Sequence, residues 1–372
     1  MQTEVVKIDA EKIDAAVIAR AGSLIDAGGL VSFPTETVYG IGCSAKRSSL
    51  SKLDELKART ADKYYALHIA EKSQVDTYVP TPTIRAVKLI KNAWPGPVTI
   101  VFELSSEDIA AQRKKLGAEL FENLYRDNSI GIRCPQNAVA SALLKAAKHP
   151  VVAPSANIAA EAPAVDAQTV LQRFAGRIDM LLDGGPCKYK KSSTVVKIGK
   201  NGLEILRPGV LSEDELARMS TVGFLFVCTG NSCRSPMAEA MFKKYLAENL
   251  QCGLDELEKK GYKVSSAGTI GLVGLPASTE AIRACADRGI DISSHRSSAL
   301  SEHRIAENDF VFALAGGHVR RIIELRAEAA DKCVLLAEQD VPDPIGRSQQ
   351  VYDECAGLIE KAVKKRIGEL KI

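Results

Sequence analysis

Between Val222 and Leu246 the chain changes character twice within a few residues, and that passage limits its fold more than any other. Val222-Gly-Phe-Leu-Phe-Val227 is a short apolar run of the kind that becomes a fully buried strand. From Pro236 onward, Met237, Met241 and Tyr245, with Ala238, Phe242 and Leu246, recur at helical spacing, and Pro236 suits a first helical turn. The polar residues between them, Cys228-Thr-Gly-Asn-Ser-Cys-Arg-Ser235, therefore form a loop that opens directly into a helix N-terminus. Backbone N–H groups point into such a loop and the helix dipole favours negative charge, so a phosphate dianion and a thiolate at Cys228 are both stabilised there. Arg234 adds a guanidinium to the same loop. A lone Cys-x5-Arg match usually means a structural cysteine beside a surface arginine; the preceding strand, Gly230, Ser235 and the following Pro-helix favour a nucleophile in a phosphate cradle.

At 372 residues and 46% hydrophobic content the chain is long enough for two domains, each with its own core. Nine cysteines without Cys-x2-Cys pairs argue against a disulfide framework or a zinc site, and for a reducing, cytoplasmic setting. The start of the chain has no signal-peptide pattern, and no apolar run approaches the roughly 20 residues of a membrane helix. A net charge of +3 from 49 basic and 46 acidic residues says little about partners. Residues 221–372 form the domain around the thiol loop, and residues 1–211 form another. Ser212-Glu-Asp-Glu-Leu-Ala-Arg-Met-Ser220, polar and acidic, reads as the linker, with a short helix capped at Ser212 as the alternative. In the first domain, helical patterns over Glu11–Ala27, closed by Gly28-Gly29, and Ser48–Ala58 alternate with strand-like runs at Leu30–Phe33, Val98–Phe102 and Val151–Ala153.

The stretch Val227-Cys-Thr-Gly-Asn-Ser-Cys-Arg-Ser-Pro-Met-Ala-Glu-Ala240 resembles the opening loop of the low-molecular-weight protein tyrosine phosphatases almost residue for residue. That resemblance implies a flavodoxin-like, doubly wound parallel sheet with the loop at the carboxyl end of its first strand. It makes Cys228 the nucleophile and Arg234 the clamp on the equatorial phosphoryl oxygens. It makes Asp343, in Val341-Pro-Asp-Pro-Ile-Gly346, the general acid and then the base for water. Asn231, Ser235 and His295 match positions that orient the loop and hydrogen-bond the thiolate, and Cys233 matches a second loop cysteine able to trap an oxidised Cys228 as a disulfide. Tyrosine phosphatases of the family usually carry a bulky aliphatic residue at the position of Ser232 and aromatics after the Asp-Pro, where this chain has Ile345. The small hydroxyl at Ser232 resembles the protein arginine phosphatase branch.

Seven ordered motifs over roughly residues 5–211 resemble the threonylcarbamoyl-AMP synthase family. They are Phe33-Pro-Thr-Glu-Thr-Val-Tyr-Gly40, Lys57-Ala-Arg59, Trp94-Pro-Gly-Pro-Val-Thr99, Gly131-Ile-Arg-Cys-Pro135, Pro154-Ser-Ala-Asn157, Ser193-Thr-Val195 and Arg207-Pro-Gly209. The resemblance implies a twisted open α/β sheet with a large basic cavity, where L-threonine, bicarbonate and ATP give threonylcarbamoyl-AMP and pyrophosphate for the N6-threonylcarbamoyl modification of tRNA adenosine 37. Lys57, Arg59 and Arg207 are suited to cradle phosphates, Ser155, Asn157 and Ser193 match nucleotide contacts, and Thr35, His68 and Arg133 match the threonine pocket. Mg²⁺ is expected to travel with ATP, since no dedicated carboxylate cage for a metal is visible. The chain departs from the family at Ala58, Thr60 and Asp62–Tyr65, in the phosphate-binding stretch, and at Ala162–Val165, which lacks the usual hydroxyls. The reading is therefore a bifunctional enzyme acting on small-molecule substrates and a phosphoprotein, with tRNA or its modifying machinery downstream and no membrane. The alternative is a double-stranded-RNA-binding module carrying an inert or regulatory phosphatase-like domain.

Overall fold

A computed structural model of the chain describes residues 2–58, 65–159, 161–199 and 202–372. It divides into two compact units, Met1–Ser220 and Thr221–Ile372. The first unit contains β1 (Glu4–Lys7), α1 (Ala15–Asp26), β2 (Val31–Phe33), β3 (Gly40–Ser44), α2 (Arg47–Lys57), β4 (Leu67–His68), α3 (Ile84–Ala93) and β5 (Val98–Glu103). It continues through α4 (Ser106–Leu116), α5 (Ala118–Leu124), β6 (Tyr125–Arg126), β7 (Ser129–Arg133), α6 (Ala138–Ala146) and β8 (Val151–Val152). It closes with α7 (Ala167–Phe174), β9 (Met180–Asp183), β10 (Thr194–Gly199), β11 (Gly202–Arg207) and α8 (Glu213–Ser220). Its strands make a mixed sheet in the order β1-β9-β2-β3-β8-β4-β7-β5-β10-β11, with β6 paired to β7.

Both faces of this sheet are covered where it is most apolar. In β9, Met180 and Leu182 enter one hydrophobic cluster and Leu181 the other, and Val151 and Val152 of β8 divide in the same way. That is the two-residue period of a strand buried on both sides. Helix α1 starts later than its sequence pattern, because Asp14 caps it by accepting from the Ala16 and Val17 amides. The segment read as a linker is helix α8. Ser212 and Glu215 bond each other's backbone amides in a capping box, and Leu216 is fully buried. It packs on α3, where Arg85 donates to Ser220 Oγ and Asn92 to the Met219 carbonyl.

The second unit contains β12 (Val222–Cys228), α9 (Arg234–Asn249), β13 (Tyr262–Gly268), α10 (Thr279–Ala286), α11 (Glu302–Glu307), β14 (Phe310–Ala313), α12 (Gly316–Leu325), β15 (Cys333–Leu335) and α13 (Gln349–Glu369). The sheet runs β13-β12-β14-β15 with every pair parallel. All seven residues of β12 are buried. Leu225 and Val227 face Ile305 and Ile322 in one cluster. On the opposite face Phe224 and Phe226 stack on their register partners Phe310 and Phe312, at 5.2 and 5.3 Å, beneath Phe242 of α9. The chain leaves β12 for β13 on one side and returns to β14 on the other, so the loop after β12 sits at the switch point where doubly wound sheets bind ligands. Among the described residues no helix is long and apolar enough to cross a membrane.

Candidate active sites

In the loop after β12, Asn231 holds the structure together. It is fully buried in the left-handed region (φ 55°), which asparagine tolerates better than most residues. Its Oδ1 accepts from the Ser298 amide at 2.8 Å, and this fixes the side chain so that Nδ2 donates to Ser235 Oγ at 2.9 Å and to Ser266 Oγ at 2.8 Å. Ser266 in turn donates to Glu239 on α9 at 2.6 Å. The Ser235 hydroxyl, already accepting from Asn231, is left to donate to Cys228 Sγ at 2.9 Å, and the Asn231 amide donates to the same sulfur at 3.3 Å. These contacts and the start of α9 direct donors at the sulfur. His295 holds the loop from outside, through Nε2 and the Asn231 carbonyl at 2.8 Å; its hydrogen bond goes to the backbone. Gly268 makes room for the loop, since a Cβ there would lie 2.8 Å from the Thr229 carbonyl oxygen.

Arg234, the first residue of α9, is buried with its fork turned toward the loop mouth. Nη1 donates to the Val341 carbonyl at 3.1 Å, and Nη2 donates to Asp343 at 2.5 Å and to Thr229 Oγ1 at 3.2 Å. Asp343 is 41% exposed on its side chain, so the acid reaches the arginine and solvent together. Cys233 lies against Tyr352 at 3.3 Å, and burial followed by this contact pushes the Tyr352 phenol up to about 12. Ser232 is half-buried at the rim and Ile345 is 64% exposed. The structure also places two residues that the sequence did not single out, Glu239 below the loop and His318 beside Thr229 at 2.9 Å.

The first unit holds a cavity of about 550 Å³ lined by Thr35, Lys57, His68, Arg133, Ser155, Asn157, Ser193 and Arg207, among others. One register row explains part of this convergence: His68 pairs with Arg133, Arg133 with Thr99 and Thr99 with Val195, across β4, β7, β5 and β10. Arg133 is paired with Glu36 at 2.9 Å, both side chains being almost completely buried, and it donates to Thr37 at 2.6 Å and Thr35 at 3.3 Å. Its Nε has no partner. His68 Nδ1 lies 3.1 Å from the Ala66 carbonyl, which assigns the proton to Nδ1 and leaves Nε2 as a buried acceptor with no partner. Burial, then the Arg133 charge, push this histidine down to about 3, so it is neutral at ordinary pH.

Lys57, at the end of α2, donates to the Ser155 and Asn157 carbonyls at 2.6 and 2.5 Å, tying the helix end to the Pro-Ser-Ala-Asn loop. Ser155 Oγ donates to Asn157 Oδ1 at 2.6 Å. Arg207 holds the carbonyl and hydroxyl of Ser193, which also meets Thr99 Oγ1 at 3.1 Å. Gly209 is required here, because a Cβ would sit 2.3 Å from the Thr194 amide nitrogen. Ala58, where the family has glycine, adopts φ 47°. Arg59 lies outside the described residues. The sequence assigns Glu36 no role, because its partner is 97 residues away and nothing local announces the pair.

The structure thus contains an α/β unit that sets a cysteine and a buried arginine in and just after the loop that follows its first strand, and a second α/β unit with a cavity lined by hydroxyl and cationic side chains. Comparison with known proteins makes the assignment particular: the chain belongs to the Sua5/YciO/YrdC family, described as Telomere recombination, over residues 23–209, and to the Low molecular weight phosphotyrosine protein phosphatase family over residues 223–371. It is 32% identical over 200 residues to the threonylcarbamoyl-AMP synthase of Bacillus subtilis, covering 54% of this chain and 55% of that protein. It is 30% identical over 151 residues to the low molecular weight protein-tyrosine-phosphatase Etp of Escherichia coli, covering 40% of this chain and 93% of that protein. The chain spans about half the length of the synthases it matches. The crystal structure of Pyrococcus abyssi Sua5 complexed with L-threonine shares the fold at TM-score 0.51 and 20% identity, covering 98% of each chain.

Proposed function

We propose that the first unit joins L-threonine, bicarbonate and ATP into threonylcarbamoyl-AMP, releasing pyrophosphate, and so supplies the threonylcarbamoyl group placed on adenosine 37 of tRNA. The observation that carries this is the convergence on one cavity of His68 and Arg133, whose buried Nε2 and Nε have no partner, with Ser193, Lys57 and Arg207. A neutral imidazole acceptor suits an amine or hydroxyl of the amino acid, and the half-neutralised arginine suits its carboxylate. The threonine amine captures bicarbonate as a carbamate, whose oxygen attacks the α-phosphorus as pyrophosphate leaves. Lys57, Arg59 and Arg207 are assigned to the charge that accumulates there, with Mg²⁺ carried in by ATP. Pyrophosphate release that requires threonine and bicarbonate together supports the reading; release without either one refutes it.

The second unit is proposed to hydrolyse phosphoproteins through a cysteinyl phosphate. An incoming phosphoryl group takes the Arg234 fork, and the Asp343 carboxylate it displaces picks up a proton from the phosphoryl monoanion or from solvent, becoming the neutral acid. Cys228 Sγ then attacks phosphorus, Asp343 protonates the departing atom, and the resulting carboxylate removes a proton from the water that cleaves the S–P bond. The substrate is assigned as phosphoarginine. Half-buried Ser232 and exposed Ile345 offer no aromatic slot for a tyrosine ring, while a hydroxyl at the rim suits a polar P–N bond. The test is kcat/KM on matched phosphoarginine and phosphotyrosine peptides, with Cys228→Ser as the blank and Ser232→Ile as the probe. Preference for phosphotyrosine in the native protein, or no change with Ser232→Ile, returns the unit to an ordinary tyrosine phosphatase.

A further inference from the structure

His318 lies in the first turn of α12, immediately after β14, on the far side of the switch point from α9. The helix is held in place there because the Gly316 amide donates to Asp340 at 2.8 Å, and Ile322, one turn on, is fully buried. His318 itself is buried, with Nε2 2.9 Å from Thr229 Oγ1 and Nδ1 without a partner. Thr229 also meets Arg234 Nη2 at 3.2 Å. Arginine has no acceptor, so the Thr229 oxygen accepts that bond. Two arrangements remain for the imidazole. If Nε2 accepted the threonine proton, an Nδ1–H would be buried with no acceptor; if Nε2–H donates, the ring is left with an orphaned lone pair and the O–H of half-buried Thr229 is left to solvent, which is the cheaper arrangement. The charged groups facing the ring are Arg234, Asp343 and Asp340, and burial followed by Arg234 disfavours its protonation.

We infer that His318 is a positioning residue of the phosphatase site: its Nε2–H anchors the Thr229 hydroxyl, which in turn holds the Arg234 fork in the orientation that meets the phosphoryl oxygens. The inference rests on the phosphatase reading of the Cys228 loop. Arg234 also bonds Asp343, which must leave it during turnover, whereas Val341 and Thr229 stay in place. Thr229 is therefore the only one of the two permanent supports for Arg234 made by a side chain, and His318 is what keeps that side chain turned. An interaction that aligns a guanidinium matters most when the equatorial oxygens carry the transition-state charge, so its loss falls on kcat more than on KM.

The experiment compares the full-length native protein with His318→Ala, His318→Gln, Thr229→Val and the His318→Ala/Thr229→Val pair. Each is assayed for para-nitrophenyl phosphate hydrolysis and for vanadate affinity, and imidazole nitrogen shifts are recorded on the native protein. The expected result is a kcat lower by roughly 10- to 100-fold in His318→Ala, on the scale of one misaligned electrostatic contact, with KM within about threefold. His318→Gln, which can replace the Nε2–H donor, recovers most of that loss. The double variant is no worse than the worse single one, and the native imidazole carries its proton on Nε2. Additive losses, a glutamine variant no better than alanine, or a proton on Nδ1 overturn the inference. If His318→Ala does not fold, the glutamine and valine variants and the nitrogen shifts decide alone. A native protein that binds vanadate but turns nothing over sinks the phosphatase reading, while equal losses of vanadate affinity in His318→Ala and Thr229→Val still support the inference and unequal ones overturn it.

Discussion

Replacing Asn231 separates two things the loop after β12 demands, a left-handed backbone and a buried hydrogen-bonding hub. Asn231→Gly keeps the φ of 55° accessible but removes the Ser235, Ser266 and Ser298 bonds. At about 1 kcal/mol net each, the loss is about 3 kcal/mol. Asn231→Ala loses the same bonds and adds about 1 kcal/mol for a Cβ in the left-handed region, about 4 in all. Asn231→Asp keeps the Ser298 contact, so it costs less stability, but puts an anion where the loop must receive a dianion. All three variants are expected to lower kcat on para-nitrophenyl phosphate by ~100-fold or more, since shifting catalytic groups by about an ångström has that effect. The sole tryptophan, Trp94, lies in the first unit, so its fluorescence is blind to this change. Hydrogen exchange of peptides from β12 and β13 reads the second unit directly. Equal losses for glycine and alanine, or a loss below about 1 kcal/mol for alanine, would refute the reasoning.

Three further outcomes follow from the first unit. Lys57→Ala should cut pyrophosphate release by ~100-fold and raise the KM for ATP, because it removes a phosphate contact and unties Ser155 and Asn157 together; unchanged turnover removes Lys57 from the site. Gly209→Ala should weaken ATP binding by ~10-fold or more in calorimetry, since its Cβ cannot coexist with the Ser193–Thr194 backbone; an unaltered Kd contradicts the packing. His68 stays neutral down to about 3, whereas in the unfolded chain it takes a proton near pH ~6.5. The unfolded state therefore binds more protons between those values, and stability falls as the pH drops from ~6.5, by about 1.4 kcal/mol per unit at most. Urea unfolding followed by Trp94 should show a shallower pH slope in His68→Gln than in the native chain; identical slopes exclude His68 as the source.

What could be read in the sequence was whatever lies contiguous or carries a fixed motif. Strand, thiol loop and helix occupy one window, so β12, Cys228, Arg234 and α9 were legible together. Pairings across long sequence distances were not: Glu36 with Arg133, and Thr229 with His318, depend on sheet order that no local pattern encodes. The acidic residues Glu213–Glu215 suggest a solvated linker, but they lie at the start of a helix, where the dipole favours them, and Leu216 and Ser220 are buried anchors that the charge pattern hides. The sequence pattern extends helix α1 back to Glu11 because Glu11 and Lys12 continue its polar face, whereas the first turn begins only where Asp14 can cap it.

The measurement that bears most directly on two chemistries in one chain is mass spectrometry of what a single preparation of full-length protein makes from ATP, L-threonine and bicarbonate, before and after addition of a phosphoarginine peptide. The account predicts threonylcarbamoyl-AMP with stoichiometric pyrophosphate from the first mixture, and dephosphorylated peptide from the second that disappears in Cys228→Ser while threonylcarbamoyl-AMP persists. Pyrophosphate without threonylcarbamoyl-AMP, or a Cys228→Ser protein that still dephosphorylates the peptide, would contradict it.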